Sequence, residues 1–207
     1  MKTTKLMTMM AVLMMALTLN SCLKSEGDDT NDQGLTKEQK HACFLKMAGE
    51  HSGKMYYQFR EDGGTNVKTD SINVTWTVVN DSVITVHDIP TRTLSTFVQN
   101  KPLREALNAA DNVEIKVYYD CYLESPITFV NYPVAVNSNI FYEESSHKAT
   151  FGFTVNSYSW GSLENGKMRL QMILYGIYLD DQTTTSYLST QVPLVFIETG
   201  GIEKIQN

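Results

Sequence analysis

Apolar and polar residues alternate along this chain with a period of two. Ile72, Val74, Trp76 and Val78 are interleaved with Asn73, Thr75 and Thr77. Successive side chains of a strand point to opposite faces, so such a segment carries an apolar row on one side and a polar row on the other. Val113, Ile115, Val117, Tyr119 and Cys121 repeat the pattern against Glu114, Lys116, Tyr118 and Asp120. Phe151, Phe153 and Val155 repeat it again, as do Met168, Leu170, Met172 and Leu174, and then Val192, Leu194 and Phe196. Strands with one polar face belong to antiparallel sheets. Many short strands at close spacing predict an all-β fold, an antiparallel β-barrel or β-sandwich of about nine strands with one or two short helices. No repeat of fixed period is present, which argues against a solenoid.

Turn chemistry divides the strands. Glu61-Asp62-Gly63-Gly64 follows an aromatic-rich strand over residues 54–60, and Asn80-Asp81-Ser82 returns the chain into residues 83–87 as a hairpin. Pro126, Pro133 and the polar run at 143–146 make residues 124–148 read as loops or edge segments. Thr36 with Gln39 forms a capping-box pattern, after which Cys43, Phe44, Met47 and Ala48 share a helical face and Gly49 stops the helix. A second helix is expected over residues 102–110, with Pro102 at its start and Leu103, Ala106 and Leu107 on one face.

The N-terminus reads as an address. Lys2 and Lys5 precede an apolar run over residues 6–19 whose only polar members are Thr8 and Thr18. The run is shorter than the roughly 20 residues of a membrane span and fits the core of a signal peptide over residues 1–21. Six of the ten methionines lie in this segment, so the methionine count marks no metal or cofactor site. Leu19-Asn20-Ser21-Cys22 then resembles the lipobox of bacterial lipoproteins. The resemblance implies cleavage before Cys22 and acylation of that residue, and two or more acyl chains suffice for stable anchoring to a membrane. Residues 22–34 follow as the lipidated cysteine and a polar tether in which Asp28, Asp29 and Asp32 repel one another. Residues 35–207 form one β-rich domain.

That acidic tether is similar to the surface-export signals of Bacteroidetes lipoproteins, and Leu23 is unlike the inner-membrane retention signal of enterobacteria. The expected location is therefore the outer membrane, with the cell surface as the finer expectation. Taken together, the lipobox, the tether, the Thr36-Lys37-Glu38-Gln39 helix start and the entry Gly49…Gly53-Lys54-Met55-Tyr56 resemble uncharacterised Bacteroidetes outer-membrane lipoproteins with a β-rich, calycin-like (lipocalin-like) domain. That family carries no known reaction, so the resemblance supplies no catalytic residue.

A net charge of −6, which becomes −8 once Lys2 and Lys5 leave with the signal, argues against a nucleic-acid partner. His41, His51, His87 and His147 lack metal-ligand spacing and read as surface or hairpin-end residues. Asp29-x-Asn31-x-Gln33-Gly34 imitates a calcium loop, but its twelfth position is Lys40. No G-x-S-x-G elbow is present, and the adjacent acids Glu143-Glu144 and Asp180-Asp181 read as solvated loops. No catalytic residue, metal or cofactor is expected, and the chain reads as a non-enzyme.

Cys43 and Cys121 both fall on inward-facing positions. They form either a helix-to-sheet disulfide or two buried thiols acting as small hydrophobes. Asp70-Ser71-Ile72 and Asp81-Ser82-Val83 resemble Bacteroidetes O-glycosylation sites, at Ser71 and Ser82, and also suit ordinary turn chemistry. Tyrosines recur in adjacent pairs on strands, so one of each pair faces outward, where Tyr suits glycan or protein contact; they also suit strands simply as strand formers. Three functions remain open. The first is a lipid-anchored, non-enzymatic domain that binds a protein or glycan partner. The second is a calycin-like carrier of a small apolar ligand, in a cavity lined by Trp76, Val117, Phe153 and Leu170, which a side-chain-filled interior would oppose. The third is a surface hydrolase.

Overall fold

In the computed structural model, which describes residues 34–61 and 66–200, Thr36 caps helix α1 (Lys37–Met47). The Thr36 hydroxyl accepts the Gln39 N–H, and the Gln39 side-chain oxygen accepts the Thr36 N–H at 2.8 Å. Both halves of the capping box are thus formed. Cys43 and Met47 are the buried residues of this helix. Gly49, at φ 134°, adopts a backbone that side chains disfavour and turns the chain at once into strand β1 (Gly49–Arg60). The signal peptide, Cys22, the tether through residue 33 and the Asp62-Gly63-Gly64 turn lie outside the described residues.

Nine further strands follow: β2 (Val67–Asn80), β3 (Val83–Ile89), β4 (Val113–Glu124), β5 (Ile127–Pro133), β6 (Val136–Tyr142), β7 (Ser145–Thr154), β8 (Trp160–Glu164), β9 (Lys167–Leu179) and β10 (Val192–Glu198). Two short helices, α2 (Thr91–Leu94) and α3 (Lys101–Asn108), separate β3 from β4. All strand pairs are antiparallel. The order β1-β2-β3-β4-β5-β8-β9-β10 closes on itself because β10 pairs with both β9 and β1. This is a closed eight-stranded barrel, so the expectation of a barrel or sandwich resolves to a barrel.

Strand β9 explains the other two strands. Its residues 169–174 pair with β10 on one edge. On the opposite edge, residues 167–171 pair with β8 and residues 173–179 pair with β7. The β6–β7 hairpin therefore extends from the barrel wall along the upper half of β9. Helix α3 packs against β6, and the Asn100 amide donates to the Tyr142 hydroxyl at 2.9 Å. Thr91 ties α2 to α3 by donating to the Leu107 carbonyl at 2.7 Å.

An eight-stranded barrel encloses a space that side chains can fill. Here Met55, Trp76, Ile115, Phe129, Met168 and Phe196 are all fully buried in one contiguous core. The Trp76 ring meets Phe196 edge-on at 6.2 Å and stacks on His51 at 5.7 Å, and its N–H points to the Met168 sulfur at 3.2 Å.

Three readings need correction. Residues 124–148 are not loops: they hold β5, β6 and the start of β7. Their prolines sit at a turn and at the last residue of β5, where a missing N–H is tolerated. The alternation of Phe151, Phe153 and Val155 breaks at a register shift between Gly152 and Phe153. Phe151 is buried, Phe153 only half-buried and Val155 exposed. His51 is neither a surface nor a hairpin-end residue. Because β1 begins at Gly49, position 51 shares the inward parity of Gly53 and Met55.

Candidate functional site

The outer face of the β4–β5 pair carries the most regular exposed aromatic surface. On β4 the outward positions are Glu114, Lys116, Tyr118, Asp120 and Tyr122, while Val113, Ile115, Val117, Tyr119 and Cys121 point in. Tyr118 and Tyr119 thus divide as neighbours on a strand must. Tyr119 reaches inward, its hydroxyl donates to the Asn80 carbonyl at 2.9 Å, and burial pushes its ionisation well up. Tyr118 stands directly opposite Tyr132 of β5, and the two are 45% and 44% exposed. The Lys116 ammonium lies over the Tyr118 ring, 4.8 Å from its centroid. Two apolar rings with polar tips, flanked by Lys116 and Asp120, form a surface that can hold a sugar face or a protein side chain.

The four residues named as cavity lining do not surround a shared space. Trp76, Val117 and Leu170 belong to the packed core at 0–1% exposure, and Phe153 leans on that core from the half-exposed bulge of β7. The interior also contains polar groups. His51 and Glu198 are both fully buried and approach to 3.2 Å. The Asn131 amide donates to the Gln171 carbonyl at 2.8 Å.

Cys43 of α1 and Cys121 of β4 are both buried free thiols, and each shifts the other's ionisation as a near neighbour. Burial raises both ionisations, that of Cys121 to about 12. Ser82 is exposed in the β2–β3 turn, where its N–H and hydroxyl both donate to the Asn80 side chain. Ser71 lies within β2 rather than at a strand end, half-buried and paired with Tyr56.

One constellation was missed by reading along the chain. The Ser145 hydroxyl lies 2.7 Å from His147 Nε2, and His147 Nδ1 lies 2.6 Å from an Asp180 carboxylate oxygen. Ser145 and His147 are two apart on β7 and share a face. Asp180 follows Leu179, which is paired with Ala149, and its second oxygen accepts the Lys148 N–H at 3.0 Å. The acids read as solvated loops are tight turns with positive φ at Glu143, Glu144, Asp180 and Asp181. The connectivity is that of nucleophile, base and orienting acid. A hydrolytic triad, however, keeps that acid buried and water excluded, and the Asp180 side chain is 56% exposed. What the network does is fasten the tip of the β6–β7 hairpin to the end of β9. The signal available in sequence was the Ser-x-His alternation. The aspartate comes only from the β7–β9 register.

Among the described residues no group of His, Cys, Asp and Glu is placed to hold a metal ion, and no helix is long and apolar enough to cross a membrane. The model of a family described as "Domain of unknown function (DUF4840)" matches residues 46–179, which run from the end of α1 to the end of β9. Among solved structures, the ywiB protein from Bacillus subtilis is similar at 8% identity and a TM-score of 0.30, over 76% of this chain and 96% of that one. No curated protein matches.

Proposed function

The chain belongs to the DUF4840 family, and from its own residues we propose that it is a lipid-anchored, non-enzymatic barrel domain of a bacterial outer membrane that binds a protein or glycan partner at its outer face. The Tyr118–Tyr132 pair carries the binding part of this reading. Two large aromatic rings left open side by side on a sheet, with a cation above one of them, are surface that a partner covers well. The anchor rests on Lys2, Lys5, the apolar run, and Leu19-Asn20-Ser21-Cys22. An outward-facing Bacteroidetes lipoprotein is the finer reading of the acidic tether.

The buried core favours an outer-face partner over a small apolar ligand carried inside, because Trp76, Val117 and Leu170 leave at most 1% of their surface open and the Trp76 ring already meets His51, Phe196 and Met168. The open setting of Ser145, His147 and Asp180 favours binding over hydrolysis.

Expression in a Bacteroidetes host tests both parts of the reading. The wild type should partition with outer membranes and be cut by protease added to intact cells, and Cys22→Ser should appear in the soluble fraction. The double variant Tyr118→Ser/Tyr132→Ser, both at exposed positions, should keep the wild-type thermal midpoint and lose retention on immobilised envelope glycans or proteins. Membrane association that survives Cys22→Ser would reject the anchor. Unchanged retention by the double variant would reject the face.

A further inference from the structure

Strand β2 runs further than the barrel wall it belongs to. It pairs with β1 without a register break from Val67 to Val78, but with β3 only from Trp76 to Asn80. On the other side of the hairpin, the pairing of β1 with β10 stops at Tyr56. The β1–β2 hairpin therefore projects past its neighbours. Among the described residues, no strand pairs with residues 67–74 on the side away from β1. Strand β3 ends its pairing with β2 at Val86, just before its register shift towards Ile89 and the left-handed backbone of Asp88, at φ 52°.

One hydrogen bond shows which backbone groups face the open side. The Ser71 N–H is accepted by the Asp70 side chain at 2.8 Å, so it is not spent on β1. Facing alternates along an antiparallel strand, so Val67, Thr69 and Asn73 turn their N–H and C=O groups the same way as Ser71. Lys68, Thr69, Asp70 and Asn73 are exposed. Open strand edges are ordinarily blunted by proline, a bulge or several charges. Residues 67–74 contain no proline and no register break, and one charge of each sign, Lys68 and Asp70.

We propose that this edge pairs antiparallel with the same edge of a second copy of the chain, about a two-fold axis through Thr69. The charges select that register. With Thr69 opposite Thr69, Lys68 of each copy lies opposite Asp70 of the other, in the close positions where cross-strand side chains interact most. Sliding one copy by two residues sets Asp70 opposite Asp70, or in the other direction Lys68 opposite Lys68, and like charges directly opposite are destabilising. A slide of one residue brings groups that face β1 to the open side and makes no ladder. In the favoured register Val67 bonds Ser71 of the other copy and Thr69 bonds Thr69, about six backbone hydrogen bonds in all. The contact uses the same patch on both copies, so it closes as a dimer.

Neither charge has to be free beforehand. Lys68 Nζ meets Glu61 at 2.5 Å and keeps further N–H groups. Asp70 accepts the Ser71 N–H with one oxygen and the Tyr57 hydroxyl, at 3.3 Å, with the other. On pairing, the Ser71 N–H passes to the Val67 carbonyl of the other copy, and the Asp70 oxygen it leaves accepts Lys68. Asp70 thus guards the edge in the single chain and binds across it in the dimer. The edge shares no residue with the Tyr118–Tyr132 face, so this proposal does not rest on the function proposed above.

Sedimentation velocity of the full chain carrying Cys22→Ser, over a concentration series, tests it. The chain should pass reversibly from monomer to dimer. Asp70→Lys and Lys68→Asp, each at an exposed position, should weaken the dimer by roughly tenfold or more. Their equimolar mixture should dimerise again, because every facing pair is then of opposite sign, and that recovery excludes misfolding as the cause. Thr69→Cys should cross-link between copies under mild oxidation, its Cα atoms being about 5.5 Å apart. Asn73→Cys should not, its two copies lying roughly 25 Å apart. A chain that stays monomeric throughout the series would overturn the pairing of copies and leave the edge to a strand of another protein. A dimer unmoved by both charge variants, or cross-linked through Asn73→Cys and not Thr69→Cys, would overturn the edge.

Discussion

His51 on β1 and Glu198 on β10 face each other at 3.2 Å with both side chains fully buried, at the seam where the first and last strands close the barrel. Each is held from its other side. His51 Nε2 lies 2.7 Å from the Met47 carbonyl at the end of α1, and a carbonyl can only accept, so Nε2 carries a hydrogen. Glu198 accepts the Met168 N–H of β9 at 2.6 Å. The remaining contact, Nδ1 to carboxyl oxygen, is attractive only with a proton between the two. The pair thereby links helix α1, the seam and β9 within the core.

Removing one member of a buried polar pair leaves the other without its neighbour, at a cost of about 1–3 kcal/mol. His51→Leu should lose stability on that scale in urea unfolding. His51→Leu/Glu198→Gln keeps an acceptor for the Met168 N–H and removes the stranded carboxyl, so it should lose less than His51→Leu alone. A double variant at least as damaged as the single would show that His51 matters for its shape and not for its polar partner.

Gly53 stands beside the same seam. A Cβ there would come 2.2 Å from the Ile197 carbonyl oxygen and 2.8 Å from the Glu198 Cα, both backbone atoms of β10 that cannot rotate away. Gly53→Ala should therefore destabilise by about 1–3 kcal/mol, the usual cost of overpacking. Gly152→Ala meets nothing nearer than the Tyr178 ring at 3.4 Å and the Gly176 carbonyl oxygen at 3.7 Å, and should cost less. Equal denaturation midpoints for the two variants would count against a tight seam.

These residues also show where a linear reading loses the fold. The alternation of Val74, Trp76 and Val78, or of Met168, Leu170 and Met172, is local, and it correctly gave strands with inward rows. Barrel closure is not local. It depends on β1 meeting β10 across more than a hundred residues, and the acid that lies inside there, Glu198, looks like an exposed strand end. His51 was misplaced because its strand was started at Lys54, when Gly49 lets the strand begin directly after the helix. β5 and β6 are hidden in the sequence because Asn131 and Ser138 occupy inward positions where an apolar residue would mark the strand.

Cys43 and Cys121 are neighbouring buried thiols that suit either a helix-to-sheet disulfide or two core residues. The export proposed above, to an oxidising compartment, should join them. The bridge would close a long loop and stabilise by about 4 kcal/mol in the chain-entropy model. Protein exported in its host should weigh less than the reduced chain by two hydrogens and show no thiol when unfolded without reductant, and Cys121→Ala should unfold at lower denaturant than the oxidised wild type. Two titratable thiols in the exported protein would mean that they serve only as core residues.

The hairpin network at Ser145, His147 and Asp180 should report its charge pair directly. The hydrogen bond to Asp180 holds His147 above its ordinary value of 6.5, with Glu143 adding to the effect, and the bond from His147 holds Asp180 below its ordinary 3.8. A raised histidine contributes stability fully below pH 6.5 and loses it as pH climbs through the folded-state value. A depressed aspartate contributes above 3.8 and loses its share as pH falls through its own lower folded value. Both halves are therefore in force between about pH 4 and pH 6.5, and the hairpin tip should be most firmly held there. Lys148, paired with Asp181, contributes to the same field at Asp180. An NMR titration of the His147 ring checks this: its midpoint should lie above 6.5 in the wild type and fall towards that value in Asp180→Asn. Ser145→Ala removes the hydroxyl at Nε2 but leaves the carboxylate, so it should move the midpoint less than Asp180→Asn does. A midpoint indifferent to Asp180→Asn would mean that the carboxylate is not what holds the ring, and the account of the hairpin tip would fall with it.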